Sequence, residues 1–127
     1  MKIALVIEDD FATRRSIAQL LLADGYGVCE GFQPDPIPFV PALDVIVSDV
    51  VTKPELDAVR LWASSIEERF GVPLVIVTGR AEIVAAGPKA LGVADIVAKP
   101  FDMTDLLRRV RRAVETTQIV PGGLSWN

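Results

Sequence analysis

Five side chains in this sequence have types that could act together, although they lie far apart along the chain. They are Glu8, Asp9, Asp49, Thr78 and Lys99. Carboxylates brought together repel one another, so a hard divalent cation such as Mg²⁺, which accepts oxygen ligands, is their natural partner. A lysine adds a mobile positive charge, and a threonine hydroxyl adds a hydrogen-bond donor for developing negative charge. This combination suits phosphoryl transfer onto a carboxylate, in which a protein mainly positions groups and balances charge.

Each of these residues directly follows, or nearly follows, an apolar segment that predicts a β-strand. Val45 to Val47 is β-branched without polar alternation, which is typical of a strand buried on both faces of a parallel sheet. The segments and the residues after them are 3–7 with Glu8 and Asp9, 45–47 with Asp49, 73–77 with Thr78, and 94–98 with Lys99. Because the carboxyl ends of parallel strands meet at one edge of a sheet, the sequence predicts that these side chains converge there.

Between the predicted strands, apolar residues recur with helical spacing. In the first helix Ile17, Leu20 and Leu21 share one face, which places Arg14 and Arg15 elsewhere, outside the apolar stripe. Further helices are predicted over about 56–70, from about residue 81 with an interruption at 87–88, and from about residue 104 to the region of residue 114. The alternation of strand and helix implies a parallel sheet with helices on both faces and right-handed crossovers.

One crossover departs from this alternation. A short second strand at residues 26–30 is followed by Pro34, Pro36, Pro38 and Pro41, a spacing that removes helical hydrogen-bond donors. The sequence therefore predicts a proline-rich segment in place of the second helix.

Composition narrows the functional classes. The 127 residues suffice for one domain with a real core, and a formal net charge of −4 argues against direct, nonspecific nucleic-acid binding. No apolar run approaches the length of a membrane span, so a cytoplasmic protein without a membrane partner is expected. The chain has no histidine, which excludes histidine metal ligands, histidine general bases and a phosphohistidine of its own. Residues 1–116 are expected to form the domain, and 117–127 a C-terminal tail or linker.

In order and at the strand ends, these residues resemble the receiver domains of two-component response regulators. The match runs from Lys2 to about Val114, with Glu8-Asp9 as the paired acids, Asp49 as the phosphoaccepting aspartate, Thr78 after the fourth strand, and Lys99-Pro100 after the fifth. The resemblance implies a flavodoxin-like, doubly wound, five-stranded parallel sheet in the order 2-1-3-4-5 with a degraded second helix. It implies a response regulator rather than an enzyme, one that catalyses only its own phosphorylation and dephosphorylation.

The resemblance also assigns roles to individual residues. Glu8, Asp9, Asp49 and the backbone carbonyl of Val51 would hold Mg²⁺, with Glu8 acting directly or through water. Asp49 would accept a phosphoryl group from a phosphohistidine on a kinase or a histidine phosphotransfer protein, and Lys99 would pair with that group. Thr78 would report its arrival, and the Lys99-Pro100 bond would be cis. A downstream protein partner is implied, at a surface built from the broken helix, the last strand and the last helix, and a homodimer is left open.

Three departures from the family pattern affect the read-out more than the chemistry. Ile96 occupies the position where the family usually has Tyr or Phe, so the usual coupling of threonine to an aromatic switch is expected to differ. Thr52-Lys53-Pro54 replaces the usual hydrophobic residue and proline, which suggests a one-residue change in that loop. The proline-rich segment is the third departure.

Two other functions are weighed against the phosphorylated switch. One is a receiver-like interaction module whose binding does not depend on phosphorylation, motivated by Ile96 and the missing helix. The other is a small aspartyl-phosphate hydrolase similar to haloacid dehalogenases, which have Asp-x-Asp at a strand end. Val51 occupies the place of their second aspartate, which removes the general acid and ranks this function last.

Overall fold

The computed structural model describes residues 1–33, 42–50, 52–53 and 55–119, with the backbone alone at 117–119. Within these residues, β-strands and α-helices alternate along most of the chain. The strands are β1 (Ile3–Ile7), β2 (Gly27–Gly31), β3 (Val45–Ser48), β4 (Leu74–Thr78) and β5 (Asp95–Ala98). The helices are α1 (Phe11–Ala23), α2 (Leu56–Phe70), α3 (Ala81–Ala86), α4 (Pro88–Leu91) and α5 (Met103–Ile119).

The five strands form one parallel sheet in the order β2-β1-β3-β4-β5. This is the flavodoxin-like topology predicted from the sequence, with β1 and β3 adjacent at the point where the strand order reverses. In open sheets of this kind ligands bind at the carboxyl ends of the strands, near that reversal. The topology therefore places the ends of β1 and β3 side by side.

Alternate residues of each strand enter two separate hydrophobic cores. On one face of the sheet, Val6, Val47 and Val77 pack with residues of α1 and α5, including Leu21 and Leu106. The other core contains Leu5, Ile46, Ile76, Val59 and Ile83, which brings α2 and α3 against the opposite face. This period-two division follows from strand geometry and gives the doubly wound arrangement.

Two local details of the helices follow the sequence signals closely. Helix α2 ends at Gly71, which has φ 69° and donates its N–H to the Glu67 carbonyl oxygen at 2.7 Å. The interruption predicted at 87–88 is present, because α3 ends at Ala86 and Pro88 begins α4. A glycine thus ends one helix on this face of the sheet and a proline begins another, as their backbone preferences predict.

Several predictions made from the sequence concern residues that the structure does not describe. Strand β2 ends at Gly31 and β3 begins at Val45, and most of the proline-rich stretch between them, 34–41, is not described. Val51 and Pro54 are also not described. The proposed replacement of a helix by this stretch stays a prediction, as does the domain boundary at residue 116, beyond which α5 continues to Ile119. Within the described ranges, no helix combines the length and the apolar character needed to cross a membrane.

Candidate functional site

The strand ends bring four of the five singled-out residues to one edge of the sheet. Glu8 directly follows β1 and Asp49 directly follows β3, with the Asp49 N–H donating to the Ile7 carbonyl oxygen at 2.9 Å. Thr78 is the last residue of β4, and its carbonyl oxygen accepts the N–H of Lys99 at 2.8 Å. Asp9, the fifth, lies in the loop after Glu8, before α1 begins at Phe11.

Lys99 joins the two buried or half-buried carboxylates. Its Nζ donates to Glu8 Oε1 at 2.6 Å and to Asp49 Oδ2 at 3.0 Å. The Glu8 side chain is 1% exposed, whereas those of Asp49 and Lys99 are 24% and 25% exposed. One acid is therefore sealed inside the site, and the other remains within reach of a reactant from solvent. The peptide bond between Lys99 and Pro100 is cis.

Glu8, Asp9 and Asp49 each offer a carboxylate oxygen, and these atoms lie within 4.8 Å of one another. With all groups charged, the three acids and Lys99 carry a net charge of −3 + 1 = −2, which a single divalent cation would neutralise. An all-oxygen set with one exposed member matches what Mg²⁺ prefers, because Mg²⁺ retains several of its waters. The residues present thus fit the ion that the sequence predicts. The carbonyl of Val51, predicted as a further ligand, lies outside the described residues.

The protonation of Glu8 and Lys99 reflects their mutual contact. Burial raises the pKa of Glu8, and the hydrogen bond accepted from Lys99 acts in the opposite direction. Burial by itself would lower the pKa of Lys99, but the hydrogen bonds that the ammonium donates to Glu8 and Asp49 more than offset it and raise this pKa. Lys99 therefore stays charged and supplies a permanent cation beside Asp49.

Backbone groups hold both carboxylates in place. Asp49 Oδ1 accepts the N–H of Val50 at 2.7 Å, and Glu8 Oε2 accepts the N–H of Asp10 at 3.0 Å. Asp10 in turn caps α1, because its Oδ2 accepts the Thr13 N–H at 2.8 Å. Asp10 therefore has two roles in the loop after β1: its N–H orients the Glu8 carboxylate, and its side chain caps the start of α1.

Thr78 is fully buried, and its hydroxyl oxygen accepts the N–H of Arg80 at 3.1 Å. A hydroxyl that accepts one hydrogen bond still has a proton to donate, so this contact is compatible with the predicted role. The Arg80 guanidinium also donates to the Thr52 carbonyl oxygen at 3.4 Å, which ties the start of α3 to the loop after Asp49. Ile96 is 6% exposed and belongs to the core on the α2 side of the sheet.

One residue at this edge contradicts the sequence interpretation. Arg14 was expected outside the apolar stripe of α1, but it is 6% exposed, and its Nη1 donates to the Glu8 carbonyl oxygen at 2.8 Å. The stripe itself is correct, since Ile17 and Leu21 are buried. Hydrophobic periodicity cannot find such a residue, because it assigns every arginine to solvent. The signal that could have found it is an acid on β2, Glu30, which pairs with Arg14.

Lys99 also lines a groove of about 510 Å³. It runs between α1 and the segment that leads from β5 into α5. Its lining residues are Ala12, Thr13, Ser16, Lys99, Pro100, Phe101 and Met103.

Comparisons with known proteins agree with this architecture. The FixJ transcriptional regulatory protein of Bradyrhizobium diazoefficiens is 31% identical over 119 residues, which are 89% of this chain and 57% of that protein. The response regulator MprA of Mycobacterium avium is 31% identical over 123 residues, 90% of this chain and 51% of the relative. The chain thus spans just over half the length of these two relatives. The structure of the BeF3-activated DrrB receiver domain superposes with a TM-score of 0.69 and 26% identity, covering 91% of this chain and 98% of that domain.

No family model matches the sequence. The doubly wound sheet with an acidic carboxyl edge nevertheless defines the class of protein, and the relatives above agree with it over nine-tenths of the chain. The chain is a receiver domain, as its strand-end residues indicated, and it is similar to the response regulator MprA over 90% of its length.

Proposed function

We propose that this receiver domain accepts a phosphoryl group on Asp49 from a phosphohistidine of a partner kinase or histidine phosphotransfer protein, in a Mg²⁺-dependent reaction. The product would switch the contacts of the domain with a downstream protein in two-component signalling. The observation that carries the proposal is the position of Lys99 Nζ, at 2.6 Å from Glu8 and 3.0 Å from Asp49, within a cluster of three carboxylates. The domain would act on no separate substrate, and a cytoplasmic location stays part of the proposal.

The residues of the site would have different roles in the transfer. A carboxylate oxygen of Asp49 attacks the phosphorus, forming the acyl phosphate O–P bond as the P–N bond to the imidazole breaks and its electron pair returns to the nitrogen. Glu8, Asp9 and Asp49, with the carbonyl of Val51, would hold a Mg²⁺ ion that neutralises phosphoryl oxygens. The Lys99 ammonium, which donates to the Asp49 carboxylate before the transfer, would donate to the new phosphoryl group after it. The buried Glu8 keeps the ammonium at the site throughout.

Thr78 and Ile96 bear on the read-out. The Thr78 hydroxyl would donate to a phosphoryl oxygen, and its present contact with the Arg80 N–H would then change. Because Arg80 also holds the Thr52 carbonyl, such a change would reach the loops on both sides of the site. The downstream partner would contact the surface built from the broken helix (α3 and α4), β5 and α5.

The test follows the intact mass of the protein after incubation with Mg²⁺ and acetyl phosphate, for wild type and for Asp49→Asn. Asparagine keeps the size of the side chain but removes its nucleophilic charge. We expect a phosphoryl adduct on the wild type alone, lost when EDTA removes the metal. An equal adduct on Asp49→Asn would contradict the assignment of the acceptor. Absence of an adduct with both acetyl phosphate and a phosphorylated histidine phosphotransfer protein, while Mg²⁺ binds, would contradict the transfer itself.

A second candidate function is a receiver-like module that binds its partner without phosphorylation. The observation that favours it is Ile96, which is 6% exposed in the core where the family usually has a movable aromatic residue. This function predicts the same partner affinity for wild type and Asp49→Asn, with and without a phosphoryl donor. If the affinity changes only when the wild type is phosphorylated, the second function is contradicted and the first is supported.

A further inference from the structure

Arg14 is a buried cation that the proposed transfer does not use directly. Its side chain is 7% exposed, although it stands on a helix whose other arginine, Arg15, is 38% exposed. A buried guanidinium must be paired and hydrogen-bonded to offset its loss of hydration. The partners of Arg14 therefore indicate why the chain retains it.

Four contacts hold the Arg14 guanidinium: two hydrogen bonds and two aromatic rings. Nε donates to Glu30 Oε1 on β2 at 3.3 Å, and Nη1 donates to the Glu8 carbonyl oxygen at 2.8 Å. Two aromatic rings lie against it, with centroid distances of 4.3 Å to Phe32 and 5.3 Å to Phe11. A planar, five-donor group so fixed from several directions has little freedom to rotate.

The contact with Glu8 is made to the backbone and not to the carboxylate. The ion pair of Arg14 is made with Glu30, outside the acidic cluster, so Arg14 does not compete with a cation for the carboxylates of that cluster. The Glu8 carbonyl belongs to the same planar peptide unit as the Asp9 N–H. Fixing that oxygen sets the orientation of the peptide from which the exposed Asp9 side chain emerges. The Glu8 N–H is held as well, by the Gly31 carbonyl oxygen at 2.9 Å.

We propose that Arg14 is a positioning residue of the acidic cluster: by holding the Glu8 carbonyl, it keeps the carboxylates of Glu8 and Asp9 in the arrangement that binds a divalent cation. The proposal rests on the metal-dependent function proposed above. Lys99 acts on the same cluster through the carboxylates, whereas Arg14 acts through the main chain. Residues that orient metal ligands in this way typically change metal affinity by 10- to 100-fold when replaced.

The chain provides a matched control in the adjacent residue. Arg15 has the same charge, lies on the same helix and pairs with the same acid, Glu30, but within the described residues it makes no contact with Glu8. Arg14→Gln and Arg15→Gln therefore remove equal charge from the same region. Ile17→Val, one turn along α1 in the buried core, serves as a control for loss of stability alone.

The experiment measures Mn²⁺ binding to the unphosphorylated full chain by electron paramagnetic resonance of free Mn²⁺, well below the melting temperature of every variant. We expect Arg14→Gln to weaken Mn²⁺ binding by about tenfold or more, and Arg15→Gln and Ile17→Val to stay within about twofold of the wild type. Arg14→Lys, which keeps the charge but not the fork of donors, should fall between wild type and Arg14→Gln.

Several outcomes would overturn the proposal. Wild-type affinity in folded Arg14→Gln would show that Arg14 only stabilises the fold, and so would equal losses in Arg14→Gln and Arg15→Gln. If Arg14→Gln does not fold by circular dichroism, Arg14→Lys decides, and wild-type Mn²⁺ affinity in that variant overturns the proposal. A wild type that binds no Mn²⁺ would overturn both this proposal and the metal-dependent function, whereas binding that is insensitive to Arg14 would overturn this proposal alone.

Discussion

At the scale of single residues, the central feature of the site is the ammonium of Lys99, which lies between the carboxylates of Glu8 and Asp49. Lys99 contacts the buried Glu8 and the half-buried Asp49, and it replaces hydration that Glu8 has lost. Without Lys99 an unpaired carboxylate would remain buried, which is costly in a protein interior. Lys99 therefore has a structural role beside the one proposed for it in phosphoryl transfer.

The raised pKa of Lys99 predicts a pH dependence of stability. The folded state holds this proton more tightly than the unfolded chain, where the usual pKa is 10.5. The ammonium therefore stabilises the fold below that pH, and the contribution is lost as pH rises through the higher folded pKa. We expect the melting temperature to fall as the pH rises above about 10.5, and to fall less steeply in Lys99→Met.

Tyr26 supplies the control for that measurement. Burial raises the pKa of its phenol, so the neutral form is favoured in the fold and its contribution is also lost as pH rises. Tyr26→Phe removes this second titration without touching the acidic edge. An alkaline slope that survives Lys99→Met unchanged, and disappears with Tyr26→Phe, would assign the effect to the tyrosine.

At the scale of elements, burial on the two faces of the sheet sets the cost of a substitution. Leu106 on α5 is fully buried in the core against β3 and β4, and Leu61 on α2 is 73% exposed. We expect Leu106→Ala to lower the free energy of unfolding by roughly 2–5 kcal/mol, because it removes buried contacts and leaves a cavity. Leu61→Ala, the same chemical change at the surface, should stay within about 0.5 kcal/mol in urea unfolding. Similar losses at both positions would contradict the assignment of the core.

The end of α2 provides a prediction about the backbone. Gly71 has φ 69°, and a Cβ built there meets no atom within 4 Å, so backbone strain rather than crowding sets the cost of a side chain. We expect Gly71→Ala to cost about 1 kcal/mol in chemical unfolding and Gly71→Asn to cost less, since Asn tolerates the left-handed region better. Equal losses for Ala and Asn would indicate a cause other than φ.

At the scale of the whole molecule, a cation bound at the acidic edge should stabilise the entire fold. The cluster of Glu8, Asp9 and Asp49 joins residues that are far apart in sequence, and the unfolded chain cannot reproduce it. A ligand that binds only the folded state adds about 2.7 kcal/mol when its concentration is a hundred times its Kd. We expect the melting temperature to rise with MgCl₂ and to return with EDTA.

The matched variant for this measurement is Asp9→Asn. Asp9 is an exposed member of the cluster, so its replacement would remove a proposed ligand with little direct effect on the core. We expect the Mg²⁺-dependent rise to shrink strongly in Asp9→Asn, while NaCl at equal ionic strength has a small effect on both proteins. A rise of the same size in Asp9→Asn would place the stabilising ion elsewhere.

Much of this protein was predictable from its sequence, for a physical reason. Buried parallel strands must be continuously apolar, so the runs before Glu8, Asp49 and Lys99 were recognisable, and so was the edge at which these residues meet. Helix ends carry local signals as well, which is why Gly71 and the break before Pro88 fall where expected. These features depend on the chain within a few residues of each position.

Only the tertiary structure decided the contacts between distant segments. The burial of Arg14 depends on Glu30, on Phe32 and on the carbonyl of Glu8, none of which belongs to its helix. At the acidic edge the Glu8 side chain is buried and the Asp49 side chain is partly exposed, and this difference depends on how β1 and β3 pair. Periodicity describes which face of an element is apolar, but the pairing of a buried charge is a property of the neighbours that folding brings to it.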